Sequence, residues 1–205
     1  MRIKLTKNEL RAQQKSLGQF NRYLPTLQLK KAMLQFEVNS ARLEIERCNQ
    51  IWKSMYSKVE DFSSLLSEFL PIHPSEFVKV KELSKQYVNL NGVEVPVFGS
   101  IQFEEVSYHL FDLPPWFEGV VSGIQSLYTA KIQVEIAKEK KDALELALRM
   151  VSIRVNLFEK ILIPRSLVNI KKIKVFLGDQ ELAAVSRAKV AKNKIESKKD
   201  GFLCV

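Results

Sequence analysis

The sequence predicts an all-α dominated fold: a long antiparallel two-helix coiled coil formed by the N- and C-terminal helices, with a small middle insert containing a β-hairpin. Three observations carry this. Two long heptad runs lie one toward each end of the chain. Between them, Asn91-Gly92 sits inside a segment of alternating polarity. Glycine and proline are scarce, seven of each in 205 residues, which suits long helices better than a loop-rich enzyme.

The first run steps by seven through Phe20, Leu27, Leu34, Ala41, Cys48, Met55, Phe62 and Phe69, all apolar. Its companions four residues on are Leu24, Lys31, Val38, Ile45, Trp52, Val59 and Leu66, and Lys31 alone is polar. The second run is Ala130, Val134, Ala137, Lys141, Leu144, Leu148, Val151, Val155, Phe158 and Leu162, broken only by Lys141. Apolar residues at alternating spacings of four and three form one stripe on a helix, and that stripe must bury itself against a partner. Trp52 and Leu148 are expected at core positions. Two such helices joined by a compact middle make an antiparallel rod.

Residues 1–70 read as the N-terminal long helix, with Leu10, Leu17 and Phe20 on the apolar side of its first part. Pro25 lacks a backbone donor and clashes with the preceding turn, so a kink or restart is expected there. From about residue 26 to 69, roughly 44 residues span about 65 Å, against a mean of about 11–12 residues for globular helices. Pro71 and Pro74 end the helix and open the middle insert, 71–115. Residues 75–84 suit either a short helix or a strand. The hairpin is placed at 87–98, because Asn91 and Gly92 both tolerate the positive φ of a type I′ turn. Pro96 cannot donate to a ladder, so its strand belongs at an edge. Residues 99–113 hold another short β-like segment, and Leu113-Pro114-Pro115 closes the insert. The C-terminal long helix occupies 116–197, kinked near Pro164, with Leu167, Ile170, Ile173 and Leu177 continuing its stripe. Its apolar side from Ala183 to Ala191 is mostly alanine, and 198–205 reads as a flexible tail.

The net charge of +9 is unevenly placed. Residues 2–31 hold eight Lys/Arg and one acid, and residues 165–199 hold ten and three, so each segment carries +7. The middle, 32–164, has fourteen bases and eighteen acids, net −4. In an antiparallel pair both basic segments lie at one end. Lys4, Lys7, Arg11, Arg187, Lys189, Lys192 and Lys194 would then form a basic tip suited to an electronegative partner. The alternative is a set of ordinary solvated helix faces.

Recognisable catalytic chemistry is absent. There is no Gly-rich phosphate loop. His73 and His109 have no second His or Cys at ligand spacing, and two histidines in a short insert support no Ser-His-Asp arrangement. Glu135, Glu139, Asp142 and Glu145 alternate with Lys131, Lys138 and Lys141, as on a solvated helix face. No catalytic, cofactor-binding or metal residue is expected, and the chain reads as a mechanical or interaction protein. No apolar run approaches the roughly 18 residues of a membrane span, and the N-terminus lacks the core of a secretory signal. A cytoplasmic location is expected. Cys48 fits it as a small apolar seam residue, and Cys204 lies in the tail without a CxxC or prenylation box.

Arg154-Val155-Asn156-Leu157-Phe158-Glu159, followed by Ile163-Pro164, resembles the Arg-Val-Asn-Ala-Leu-Glu…Ile-Pro pattern of the D subunits of V-type/A-type rotary ATPases. Asn169-Ile170-Lys171-Lys172-Ile173 and Leu177 stand where that family has its lysine-rich stretch and following Leu. Glu181 matches one acid of the next turn, and Leu182-Ala183-Ala184-Val185 replaces the denser acidic stretch. Leu5-Thr6-Lys7 and Leu27-Gln28-Leu29-Lys30-Lys31 are similar to the family's N-terminal segments, and Gly92-Val93-Glu94-Val95-Pro96 lies at its central hairpin. The resemblance covers nearly the whole chain. It implies a non-catalytic central-stalk rotor without cofactor. Its paired terminal helices would enter a catalytic A/B hexamer, with the basic tip meeting the hexamer lining. Its middle would bind the rotor's F subunit and approach the membrane-side coupling C/d subunit, making the chain peripheral to the membrane.

Two other readings compete. A prefoldin-like chaperone also joins two helices by hairpins, but such chains are shorter and need hairpins from several subunits to build a shared barrel. A basic coiled-coil nucleic-acid-binding protein would use its charge on phosphates. The basic segments lack the interleaved aromatics used for base stacking, so no nucleic acid is expected.

Overall fold

The computed structural model describes residues 3–61, 78–104 and 114–202, with side chains through Glu196. Phe62, Leu66, Phe69, Pro71, His73, Pro74, His109 and Cys204 lie outside the described residues, as does most of the second β-like segment. The elements are α1 (Lys7–Asp61), β1 (Val80–Leu90), β2 (Val93–Phe103), α2 (Phe117–Leu157), a five-residue π-helical turn (Phe158–Leu162) and α3 (Ile163–Phe202). The fold is therefore mostly helical, with a two-stranded antiparallel hairpin between the long helices.

Two compact units divide the chain: described residues up to Leu29 with those from Ser152 onward, and Lys30 to Val151. Within the second unit α1 and α2 run antiparallel. Arg42 Nη2 lies 2.8 Å from Glu145 Oε1, and Lys140 Nζ lies 2.7 Å from Glu44 Oε2. Further along, a Cβ at Gly123 would meet Val59 at 3.5 Å. The seam between these helices is the predicted one. Leu34, Val38, Ala41, Ala130, Val134, Ala137, Leu144 and Val151 are buried, and Lys31, Ile45, Cys48, Trp52, Met55 and Val59 are half-buried. Trp52 and Leu148 are half-buried rather than core, and among the described residues the fully buried leucines are Leu34 and Leu144. Lys31 and Lys141 hold seam positions at half burial. Their aliphatic stems can lie along apolar surface while the ammonium reaches water.

The hairpin packs on this unit through Val95, fully buried, and Pro96. It is larger than expected, spanning 80–103 instead of 87–98. The segment 80–84, open between helix and strand from sequence alone, is strand. Asn91 and Gly92 form the turn with φ of 54° and 81°, and the Gly92 amide donates to Asn89 Oδ1 at 2.9 Å. The ladder shifts register between Ser84 and Lys85, where Gly99 is the extra residue on β2. A Cβ there would sit 2.8 Å from the Ser84 carbonyl oxygen, so the bulge needs glycine.

In the first unit the helices are again antiparallel: Phe20 meets Phe158 edge to face at 5.3 Å, and Lys7 pairs with Glu181 at 3.7 Å. The core is thin. Val155, Ile170 and Ile173 are its buried apolar residues among those described, joined by Ser166 and Asn169. Leu167, expected on the stripe, is 51% exposed. α1 passes through Pro25 without a break. Asn21 and Pro25 are both exposed, so the Asn21 carbonyl that loses its donor can be hydrated. At Pro164 the chain answers differently. The Ile163 amide donates to the Phe158 carbonyl, the i→i−5 bond of a π turn. The wider turn just before Pro164 gives its ring room beside the preceding carbonyls. α3 then continues to Phe202, beyond the expected helix end near 197.

Candidate functional site

All seven residues of the expected basic tip belong to the first unit and all are exposed. Lys4 precedes α1, and Lys7 and Arg11 occupy its first turns. Lys7 binds Glu181, which sets the start of α1 level with that point on α3. Arg187, Lys189, Lys192 and Lys194 follow on α3, from about 9 Å to about 20 Å further along at about 1.5 Å per residue. Every described side chain from Ala184 to Glu196 is exposed, including Val185, Val190 and Ile195 at more than half of their surface. This part of α3 has no buried seam of its own. Lys192 makes an i,i+4 pair with Glu196 at 3.7 Å. Lys4, Arg11, Arg187 and Lys189 make no ion pair among the described residues.

The motif around the π turn is displayed rather than packed. Arg154, Asn156, Glu159 and Pro164 are exposed and Ile163 is half-buried, while Val155 and Phe158 between them face the seam. The polar members of the motif therefore contribute to surface, with Leu157 and Pro164, while Val155 and Phe158 serve assembly of the helix pair. Nothing in the heptad pattern announced the π turn. Pro164 was the only sequence signal near it.

The second unit holds several of its charges in pairs. Lys85 of β1 donates to both Glu139 carboxylate oxygens, at 3.1 and 2.8 Å, and this bond holds its ammonium above the ordinary lysine value. Asn91 reaches Glu37 at 3.5 Å. The Arg42 hydrogen bond holds the Glu145 carboxyl below its usual range, assisted by Lys141. Cys48 shares a cavity of about 270 Å³ with Glu44, Pro96, Phe98, Ile136 and Lys140. Burial, then the charge of Glu44, pushes its thiol up, and Lys140 opposes them. Glu139 and Glu145, which read as generic helix-surface acids, are thus specific clamps for the hairpin and for α1. Outside the pairs lie exposed apolar side chains, among them Met33, Phe36, Leu43, Tyr87, Leu146 and Met150.

Among the described residues no group of three or more His, Cys, Asp and Glu could hold a metal, and no helix is long and apolar enough to cross a membrane. The geometry supplies surfaces: an exposed basic helix end, a displayed motif at a π turn, and a clamped hairpin. The sequence matches the family of ATP synthase D subunits over residues 9–193. It is 41% identical over 205 residues to the D subunit of a V-type ATP synthase from Chlamydia abortus, covering 98% of both chains. A protein of the same name from Borreliella burgdorferi is 38% identical over 197 residues, covering 96% of both. With a family match across most of its length and relatives of this identity over nearly all of it, the chain belongs to the family of ATP synthase D subunits.

Proposed function

We propose that this stalk subunit is the central rotor shaft of a V/A-type rotary ATPase or ATP synthase, coupling ATP turnover in a catalytic A/B hexamer to ion translocation across the membrane. The observation that carries the reading is the end of α3 from Ala184 to Glu196, basic and exposed on every described side chain. A helix with that surface gains little from its own fold and much from an electronegative cavity around it. Lys4, Lys7 and Arg11 add charge to the same unit. Turning of the shaft would present different contacts to each catalytic interface in succession. A ligand, here the shaft orientation, shifts an equilibrium only through such differential contact.

The second unit suits the remaining partners. Its exposed Met33, Phe36, Leu146 and Met150 offer apolar surface to the rotor's F subunit and to the membrane-side coupling C/d subunit. The chain would be non-catalytic and peripheral to the membrane through the complex. The test is charge reversal at Lys189, Lys192 and Lys194. The triple variant is expected to dock less tightly into the A/B hexamer, with a melting curve of the isolated chain like that of the wild type. Docking unaffected at low salt would reduce this cluster to a solvated face. ATPase activity from the isolated chain would overturn the non-catalytic assignment.

A further inference from the structure

The seam of the first unit contains an anomaly. Ser166 and Asn169 are 6% and 9% exposed, where the heptad pattern elsewhere places apolar residues. Neither side chain has a hydrogen-bond partner among the described residues, and no buried polar atom is sealed away unpaired. Both instead line an open groove of about 520 Å³. Lys4 and Arg165 line it too, neither ion-paired among the described residues, together with Glu9 and Gln13. The one carboxylate is already engaged: Gln13 Nε2 donates to Glu9 Oε1 at 2.9 Å.

The Ser166 and Asn169 polar atoms therefore open onto the groove, where they are free to pair with whatever enters it. We infer that the groove takes the carboxylate of an acidic side chain presented by a protein partner. The Asn169 amide and the Ser166 hydroxyl donate to its oxygens, and Arg165 and Lys4 balance its charge. The two cations outnumber the single carboxylate, so the groove favours an anion. A segment of protein suits its size better than a lone small ion, since the groove is many times the roughly 10–15 Å³ of such space that one water needs. The partner is the A/B hexamer of the proposed function, on which this inference rests.

The test measures the affinity of the full-length chain for the A/B hexamer at low salt, beside the melting curve of each isolated variant. Asn169→Leu replaces a buried polar group with an apolar one of similar size. It is expected to leave the melting temperature unchanged or raised, yet to weaken docking about tenfold, as loss of a hydrogen bond to a charged group would. Arg165→Gln should weaken docking and flatten its salt dependence. If Asn169→Leu melts early, Ser166→Ala carries the test, with a several-fold loss of affinity at an unchanged melting temperature. Wild-type affinity in Asn169→Leu, or in Ser166→Ala where that variant decides, would mean a groove filled only by water and overturns the inference. Saturable shifts of the Asn169 side-chain amide on adding inorganic phosphate, with docking unchanged by the variants, would make it a small-anion site and also overturn it. A wild-type chain that fails to bind the hexamer overturns the proposed function and this inference together. Binding that ignores the variants overturns only the inference.

Discussion

Leu144 and Leu148 stand one turn apart on the same stripe, yet Leu144 is fully buried and Leu148 half-buried. The cost of truncation should divide accordingly. Leu144→Ala is expected to destabilise the chain by about 2–5 kcal/mol, and Leu148→Ala by clearly less, in urea unfolding of the isolated protein. Equal losses would contradict the burial pattern. The same residue scale holds the clearest pH effect. Arg42 depresses the Glu145 carboxyl below its ordinary value of 4.5 by hydrogen bonding, while partial burial and Asp142 push the other way. A depressed carboxylate stabilises the folded state at neutral pH, and that contribution is lost as pH falls through the folded-state value. It is a modest contribution, because both partners are well exposed. Arg42→Ala should return the Glu145 titration toward its ordinary value when followed by carboxyl NMR shifts. An unmoved titration would assign the depression to Lys141 instead.

The helices were legible in the sequence because a heptad stripe is a one-dimensional record of burial. Every stripe position from Phe20 to Val59 and from Ala130 to Leu162 is buried or half-buried, the two lysines included. Periodicity recorded less where the backbone departs from a regular repeat. Continued past Leu162, the step of three and four gives Arg165, Asn169, Lys172 and Phe176, but after the π turn at Phe158–Leu162 the buried positions are Ser166, Asn169, Ile170 and Ile173, a shift of about one residue that brings Ser166 into the seam and leaves Arg165 exposed. A constant step of three and four could not show this. In the hairpin, Asn91-Gly92 marked the turn because positive φ selects so few residues. The strands extend beyond the predicted 87–98 through residues 80–86 and 99–103, none of them buried, held by the β1–β2 ladder across its bulges. Gly99 is held to glycine by its neighbour across the ladder. Gly99→Ala would drive a Cβ to 2.8 Å from the Ser84 carbonyl oxygen, and backbone must yield. We expect about 1–3 kcal/mol of destabilisation, typical of overpacking. It should be read as faster amide exchange across β1 and β2 with α1 and α2 unchanged, and undiminished protection of the strands would show that the bulge relaxes freely.

For the molecule as a whole, stability and function should separate along α3. Deleting residues from Ala183 to the end removes no fully buried side chain among those described, and it leaves the Lys7–Glu181 pair in place. The Phe20–Phe158 contact and the buried Val155, Ile170 and Ile173 also survive, so the truncated chain should melt close to the wild type. What it loses is Arg187, Lys189, Lys192 and Lys194, the exposed charge on which the proposed docking depends. In the assembled complex the truncation is therefore expected to lower the torque or the coupling of ATP turnover to ion flow. Hydrolysis itself should partly survive, because in the proposed mechanism its catalytic groups belong to the hexamer. Single-particle rotation measured beside bulk ATPase distinguishes the two effects. Full torque with full coupling would show that this end does not bear on the hexamer. An early melt of the truncated chain would show that the exposed helix contributes to the fold after all.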